Sequence, residues 1–166
     1  MTGDPTAGMR AFRLMRRLQL EYPEGVLARH ALLETGRWHL EDEQFSRARA
    51  ALRGLGAVAL DPRLKAEAAF HLGIGSLDTD DPEAARQAFA EAAAALDGTA
   101  AEAAAINAGV ARLLSGDLAA FASEESPTPR VVAELALERG LLLAAQRDPA
   151  ATDLLDSFIV AHPEHP

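Results

Sequence analysis

Apolar residues recur every three to four positions along most of the chain, a spacing that places them on one face of an α-helix. Asp-Pro pairs begin four of these runs, at Asp4, Asp61, Asp81 and Asp148. The Asp side chain accepts hydrogen bonds from free N–H groups, and Pro fits the first helical turn. No alternating run of β-branched residues is long enough for a strand. The pattern predicts an all-α protein of about nine helices, near residues 5–21, 25–40, 43–56, 62–78, 82–96, 99–114, 117–124, 129–145 and 149–161.

The same ten-residue pattern occurs twice, as GDPTAGMRAF from Gly3 to Phe12 and as DDPEAARQAF from Asp80 to Phe89. Each copy has Asp-Pro, a small residue and Phe in the same places. The recurrence indicates that both segments are the same helix of a repeated unit.

Four glycines recur inside predicted helices at intervals of about 31 to 37 residues. They are Gly36, Gly73, Gly109 and Gly140. Glycine inside a helix costs ~1 kcal/mol relative to alanine, so its regular recurrence indicates places where two helices approach closely. Gly73 is expected to lie closest to Ala85 and Phe89.

Two further positions recur at fixed distances after these glycines. Seven residues after each glycine comes a predicted polar turn, formed by Glu43, Asp80, Gly116 and Arg147. Twelve residues after each comes a position that is small in the first two units, occupied by Ala48, Ala85, Phe121 and Thr152. The chain is therefore predicted to be periodic at about 36 residues.

The second unit resembles a tetratricopeptide repeat, a helix–turn–helix of about 34 residues. The residues that carry the resemblance are Leu72, Gly73, Ala85, Phe89 and Ala92. The first unit is similar through Trp38 with the series Gly36, Phe45, Ala48 and Leu52. The resemblance implies antiparallel helix pairs stacked into an α-solenoid, a tetratricopeptide-like superhelix.

The junctions between units have a pattern of their own. Tyr22-Pro23-Glu24 and His162-Pro163-Glu164 are similar to the repeat junctions of bacterial envelope-assembly and Tol–Pal-associated tetratricopeptide proteins. The resemblance predicts one domain over residues 1–166, with a half repeat at 1–23 and repeats near 25–60, 62–97, 99–127 and 129–163. The half repeat suggests a piece of a longer protein, and a lone N-terminal capping helix is the alternative.

The formal net charge of −9 and the pI of about 5.0 argue against nucleic acid or an anionic membrane as the main partner. The absence of cysteine excludes disulfides and thiolate sites. No apolar run is long enough to span a bilayer, and the N-terminus lacks a signal pattern. A full-length chain would thus be cytoplasmic, whereas an excised domain of a larger protein could be periplasmic.

The titratable residues do not form a catalytic or metal-ligating set in the sequence. His30 and Glu34 share a helix face, and His39 is near Glu43, but a zinc helix needs a second His at that offset and a third ligand. His162 and His165 flank a proline near the C-terminus. We therefore expect no metal, no cofactor and no enzymatic activity, although an enzyme of an unrecognised type stays a third hypothesis.

Arg13, Arg16 and Arg17 form a basic cluster on the predicted first helix, opposite Phe12 and Met15. A solvated face that balances an acidic protein is the first interpretation of this cluster. A contact for an acidic segment of a partner is the second.

In tetratricopeptide proteins partner peptides lie along a wall formed by the first helix of each unit, and the resemblance implies the same groove here. The cluster of Lys and Asn that grips a C-terminal carboxylate in chaperone-binding relatives is missing, since Lys65 is the only lysine. The expected function is a non-catalytic scaffold that binds a protein, peptide or helix. The alternative is a structural spacer or self-association segment of a larger protein. Aligning the glycines predicts the groove residues His30, Leu33, Arg37, Glu67, Phe70, Ile74, Ile106, Val110, Leu137 and Leu141.

Overall fold

The computed structural model describes residues 5–56, 61–116 and 128–165, and these ranges contain helices and turns with no strand. The all-α prediction is confirmed, and helix ends fall within two residues of the predicted positions. The helix predicted at 117–124 lies outside the described residues. The helices are α1 (Pro5–Glu21), α2 (Val26–Glu41), α3 (Phe45–Gly56), α4 (Pro62–Leu77), α5 (Pro82–Ala95), α6 (Gly98–Leu114), α7 (Pro129–Ala145) and α8 (Ala150–Ala161).

The chain divides into two compact units, Met1–Asp81 and Pro82–Pro166, where the sequence predicts one domain. In the first unit α1 packs on α2, α2 on α3 and α3 on α4, and α2 also contacts α4. In the second unit α5 packs on α6, α6 on α7 and α7 on α8. The boundary falls between the two helices of the predicted repeat 62–97.

The predicted polar turns share one unusual backbone conformation. Glu43, Asp80 and Arg147 have φ values of 55°, 55° and 58°, and Gly116 has 87°. A positive φ is disfavoured for residues with a Cβ, so three non-glycine residues at equivalent positions mark a recurring local structure. The turn positions predicted from the sequence are confirmed.

Hydrogen bonds identify this structure as a Schellman motif, which ends a helix by satisfying its last carbonyls. The N–H of Glu43 donates to the carbonyl of Leu40 at 3.1 Å, and the N–H of Gln44 donates to the carbonyl of His39 at 2.8 Å. The same two bonds recur after α4 and α7, as Asp80–Leu77 with Asp81–Ser76 and as Arg147–Ala144 with Asp148–Leu143.

Two of the recurring glycines lie where the helices of one pair meet. A Cβ built on Gly36 would lie 2.6 Å from the Leu52 side chain, so α2 and α3 approach too closely for alanine without a shift. In the same way a Cβ on Gly140 would lie 2.6 Å from Leu155. The predicted close approach is confirmed at both positions.

The other two glycines differ from this arrangement. A Cβ on Gly109 would lie 2.5 Å from Leu135 in α7, so its close neighbour belongs to the next described helix. Gly73 is buried in α4. Its predicted neighbours Ala85 and Phe89 belong to the other compact unit, and that expected contact stays a prediction.

Aliphatic side chains from three helices form the core of the first unit. Leu33 comes from α2, Leu52 and Leu55 from α3, and Leu64 and Ala68 from α4. Burial of such side chains is the main favourable term in folding. The buried residues of the second unit are largely alanines. They include Ala104 and Ala111, together with the larger Val131, Leu135 and Leu143.

Two of the predicted aspartate caps are present at helix starts. Asp61 Oδ1 accepts the N–H of Arg63 at 2.9 Å, and Asp148 Oδ1 accepts the N–H two residues further at 2.9 Å. The Asp81 carboxylate accepts a hydrogen bond from the Arg49 guanidinium at 2.7 Å, which ties α3 to the turn after α4. Asp4 lies outside the described residues.

Candidate functional site

In the first unit the predicted groove residues lie on α2 and α4, two helices that contact each other. His30 and Arg37 are exposed, while Glu67, Phe70 and Ile74 are half-buried. These three therefore keep part of their surface available.

One predicted groove residue of the first unit cannot belong to a binding surface. Leu33 is only 2% exposed and is part of the hydrophobic core. The alignment of the glycines predicts an inward-facing side chain at Leu33, but this side chain packs between α2, α3 and α4.

A half-buried histidine of α4, His71, interacts electrostatically with groove residues of both α2 and α4. His71 is half-buried, and burial lowers the pKa of its imidazole, with the nearby Arg37 guanidinium lowering it further. Glu67 and Glu34 act in the opposite direction. Glu34 itself forms an ion pair with Arg37 at 3.1 Å. His71 was not among the predicted site residues because its neighbours in sequence are apolar.

In the second unit the predicted groove residues lie on α6 and α7, which also contact each other. Ile106, Val110 and Leu137 are half-buried, and Leu141 is 49% exposed. An ion pair of 3.7 Å between Arg130 and Glu102 joins the same two helices.

A cleft of about 590 Å³ lies between α1, α2 and α3, away from the predicted groove residues. Phe12 from α1 and Trp38 from α2 form one wall, with ring centroids 4.6 Å apart and planes inclined by 32°. His39 meets both rings nearly edge-on, at 5.5 and 5.3 Å. The side chains of these three residues form an aromatic cluster that the sequence pattern does not predict.

The titratable side chains that line the cleft are two arginines and a histidine, beside the uncharged polar residues Gln19, Thr35 and Gln44. Arg16 and Arg47 line it from α1 and α3 and have no carboxylate partner among the described residues. Arg47 donates a hydrogen bond of 2.7 Å to the amide oxygen of Gln44. His39 is 8% exposed, and its Nδ1 atom has no hydrogen-bond partner in the described structure.

The environment of His39 favours the neutral form of its imidazole. Burial lowers the pKa of His39 below its ordinary value, and the positive charge of Arg47 lowers it further. Glu43, which is near His39 in the sequence, is exposed and belongs to the turn. The histidine faces the aromatic rings instead.

The two C-terminal histidines pack against one aromatic ring. His162 and His165 lie with ring centroids 4.8 and 5.1 Å from Phe158. His165 Nε2 is 3.3 Å from a carboxylate oxygen of Glu134 in α7. No group of three or more metal-ligating side chains occurs within the ranges that the structure describes.

Comparison with known proteins finds no matching family model, no similar curated protein and no similar solved structure. None of the described helices is long and apolar enough to cross a membrane.

Proposed function

We propose that this protein is a non-catalytic scaffold, a tetratricopeptide-like α-solenoid of about nine helices that binds a peptide or helix in a groove lined by the first helices of its repeats. The observation that carries the proposal is the pairing of first helices within each unit, α2 with α4 and α6 with α7. In a solenoid the first helices of neighbouring repeats lie side by side and form one wall.

The recurring helix ends support the repeat assignment. The Schellman motifs at Glu43, Asp80 and Arg147 have the same two hydrogen bonds and nearly the same φ. An array of equivalent helix pairs accounts for three such turns in one chain.

The side chains along the paired helices support a binding surface. Phe70 and Ile74 on α4 are one helical turn apart and half-buried, as are Ile106 and Val110 on α6. In helix-in-groove recognition a partner helix places its apolar face in a hydrophobic groove, and these side chains supply the apolar lining of such a groove. A net charge of −9 favours a partner segment with basic residues beside its apolar ones.

A selection of peptides on the folded protein tests the proposal. A peptide library displayed on phage is panned against the wild type, and the affinities of the selected peptides are measured by calorimetry. Phe70→Ala is expected to weaken the binding of these peptides by ~2 kcal/mol or more, because a few buried anchors carry most of the affinity of such interfaces. Leu14→Ala is the matched control, since Leu14 is exposed on α1 and lies outside the groove.

The melting temperature of each variant separates the outcomes. A folded Phe70→Ala protein that has lost peptide affinity supports the scaffold. Selected peptides that bind Phe70→Ala and the wild type equally contradict the proposed groove.

A structural spacer or self-association segment is the second candidate function, favoured by the exposed apolar end of α8. Ile159 and Val160 are 64% and 82% exposed there. Sedimentation over a concentration series tests self-association. The wild type is expected to self-associate as its concentration rises, and the Val160→Lys variant is expected to stay monomeric. A wild type that stays monomeric at all concentrations contradicts self-association through α8.

A further inference from the structure

The cleft between α1, α2 and α3 is lined by two arginines that have no carboxylate partner among the described residues. Arg17, Arg37 and Arg63 each lie beside a glutamate on the same helix. Arg16 and Arg47 have no carboxylate partner among the described residues. In a protein with nine more acidic than basic residues, two such cations at one cleft favour an anion from outside the chain.

His39 supplies an independent observation that points to a ligand. Its side chain lines the cleft and is more than nine-tenths buried, and its Nδ1 atom lacks a hydrogen-bond partner in the described structure. Buried polar atoms nearly always have partners, and an unsatisfied one costs about 1–3 kcal/mol. A neutral imidazole with its proton on Nδ1 is a hydrogen-bond donor, and because this atom is buried, the ring has to turn slightly for Nδ1–H to reach an acceptor in the cleft.

The aromatic wall limits the shape of the ligand. Phe12 and Trp38 are half-buried, so both rings keep part of their surface toward the cleft. Aromatic faces pack well against planar apolar groups, in offset or edge-to-face geometry. The volume of about 590 Å³ falls within the range of roughly 300–1,000 Å³ typical of small-molecule sites.

We propose that this cleft binds a small organic anion in which a carboxylate is attached to a planar apolar body. The carboxylate accepts hydrogen bonds from the Arg16 and Arg47 guanidinium groups and from Nδ1–H of His39. The apolar body lies against Phe12 and Trp38. This site uses none of the predicted groove residues, so it stands or falls separately from the proposed scaffold function.

Trp38 allows binding to be measured directly, because it is the only tryptophan in the chain and lies in the cleft. The probe is 3-phenylpropionate, titrated while the fluorescence of Trp38 is recorded. Acetate carries the charge alone, and 3-phenylpropionamide carries the ring without the charge. We expect a saturable change with 3-phenylpropionate and at least about tenfold weaker binding of the other two.

Arginine variants test the anion contact. Arg16→Gln and Arg47→Gln are each expected to lower the affinity for 3-phenylpropionate about tenfold, the usual effect of losing a charge-assisted hydrogen bond. Arg13→Gln is the matched control, because Arg13 is exposed on α1 but does not line the cleft. Arg16 and Arg47 are exposed as well, so these variants should keep the wild-type melting temperature.

Three results would overturn the proposal. The first is a fluorescence change that does not saturate, and the second is equal affinity for the acid and its amide. The third is the same loss of affinity in Arg13→Gln as in Arg16→Gln. Phe70→Ala leaves this site intact and should bind 3-phenylpropionate as the wild type does, whatever it does to peptide binding.

Discussion

In the helix pairs α2–α3 and α7–α8 the first helix ends in the same way. The pairs differ in the position and burial of the leucine that the second helix places against the first. Both have a glycine seven residues before a Schellman turn, and in both a leucine of the second helix lies 2.6 Å from the position of the missing Cβ. In α2–α3 this leucine is Leu52, nine residues after the turn residue and 1% exposed. In α7–α8 it is Leu155, eight residues after the turn residue and half-buried.

The difference shows which features the two helix pairs share and which they do not. The turn is held by two hydrogen bonds between backbone groups, which need no particular side chain, and the glycine allows the close approach of the two helices. The second helix can shift by one residue, so the small position after α7 is Ala151, which is buried, while the predicted Thr152 is exposed. Leu52 is also covered by α4, which packs on α3.

The two leucines provide the largest expected effect. Leu52→Ala leaves a cavity in a closed core and should lower the free energy of unfolding by ~3–5 kcal/mol. Leu155→Ala removes a half-buried side chain and should cost ~1–2 kcal/mol. Urea unfolding followed by Trp38 fluorescence reports the first unit, and far-UV circular dichroism reports both. Equal losses would show that the two leucines are covered equally.

The glycines give a smaller effect. Gly36→Ala places its Cβ against Leu52, which the core holds in place, so overpacking should exceed the helix-propensity gain and cost ~1–2 kcal/mol. Gly140→Ala meets Leu155, which has room to turn, so its net effect should be near zero. Gly54→Ala, with nothing within 4 Å of its Cβ, is the control that should not destabilise. A neutral Gly36→Ala would contradict a fixed Leu52.

Much of the fold could be predicted because its signals are local. Helix starts such as Asp61-Pro62 and turn positions such as Glu43 depend on a few neighbouring residues, and the structure has them where the sequence predicts. Leu33 shows where local pattern fails. A helical stripe defines which residues are apolar, but packing of α3 and α4 decides whether that stripe becomes core or groove.

The cleft was not predicted because its residues meet only through packing. Phe12 and Trp38 lie far apart in sequence, and their contact depends on how α1 crosses α2. Arg16 belongs to a basic cluster visible in the sequence, but its place in the same cleft as His39 depends on the same crossing. An aromatic residue and an arginine one turn apart on α1, together with the only tryptophan of the chain, were the available signals.

The turns should respond alike in both helix pairs, because their geometry is the shared feature. Glu43→Gly and Arg147→Gly should each raise the free energy of unfolding by ~0.5–1 kcal/mol, since glycine adopts positive φ without a Cβ clash. Gly116→Ala should have the opposite effect. Thermal melts of the three variants measure these changes in stability. A lower melting temperature in Glu43→Gly or Arg147→Gly would contradict a positive φ at that residue.

The smallest expected effect is a dependence on pH that separates the first unit from the second. Burial and nearby arginines lower the pKa of His39 and His71, both in the first unit. Their ordinary pKa is near 6.5, so as the pH falls below this value the unfolded chain binds protons more strongly than the folded one. The free energy of unfolding should therefore fall with acidification, and the loss should be complete only below the folded pKa values.

His71→Gln isolates one of these two contributions. Its ring is placed between Arg37, which disfavours protonation, and Glu34, Glu41 and Glu67, which favour it. Urea midpoints from Trp38 fluorescence at pH 7.5 and 5.5 should differ less in His71→Gln than in the wild type, because the glutamine binds no proton in either state. His162→Gln, a change in the second unit, is the control that should leave the difference in these midpoints unchanged. A larger pH difference in His71→Gln than in the wild type would mean that the three glutamates outweigh burial at this ring.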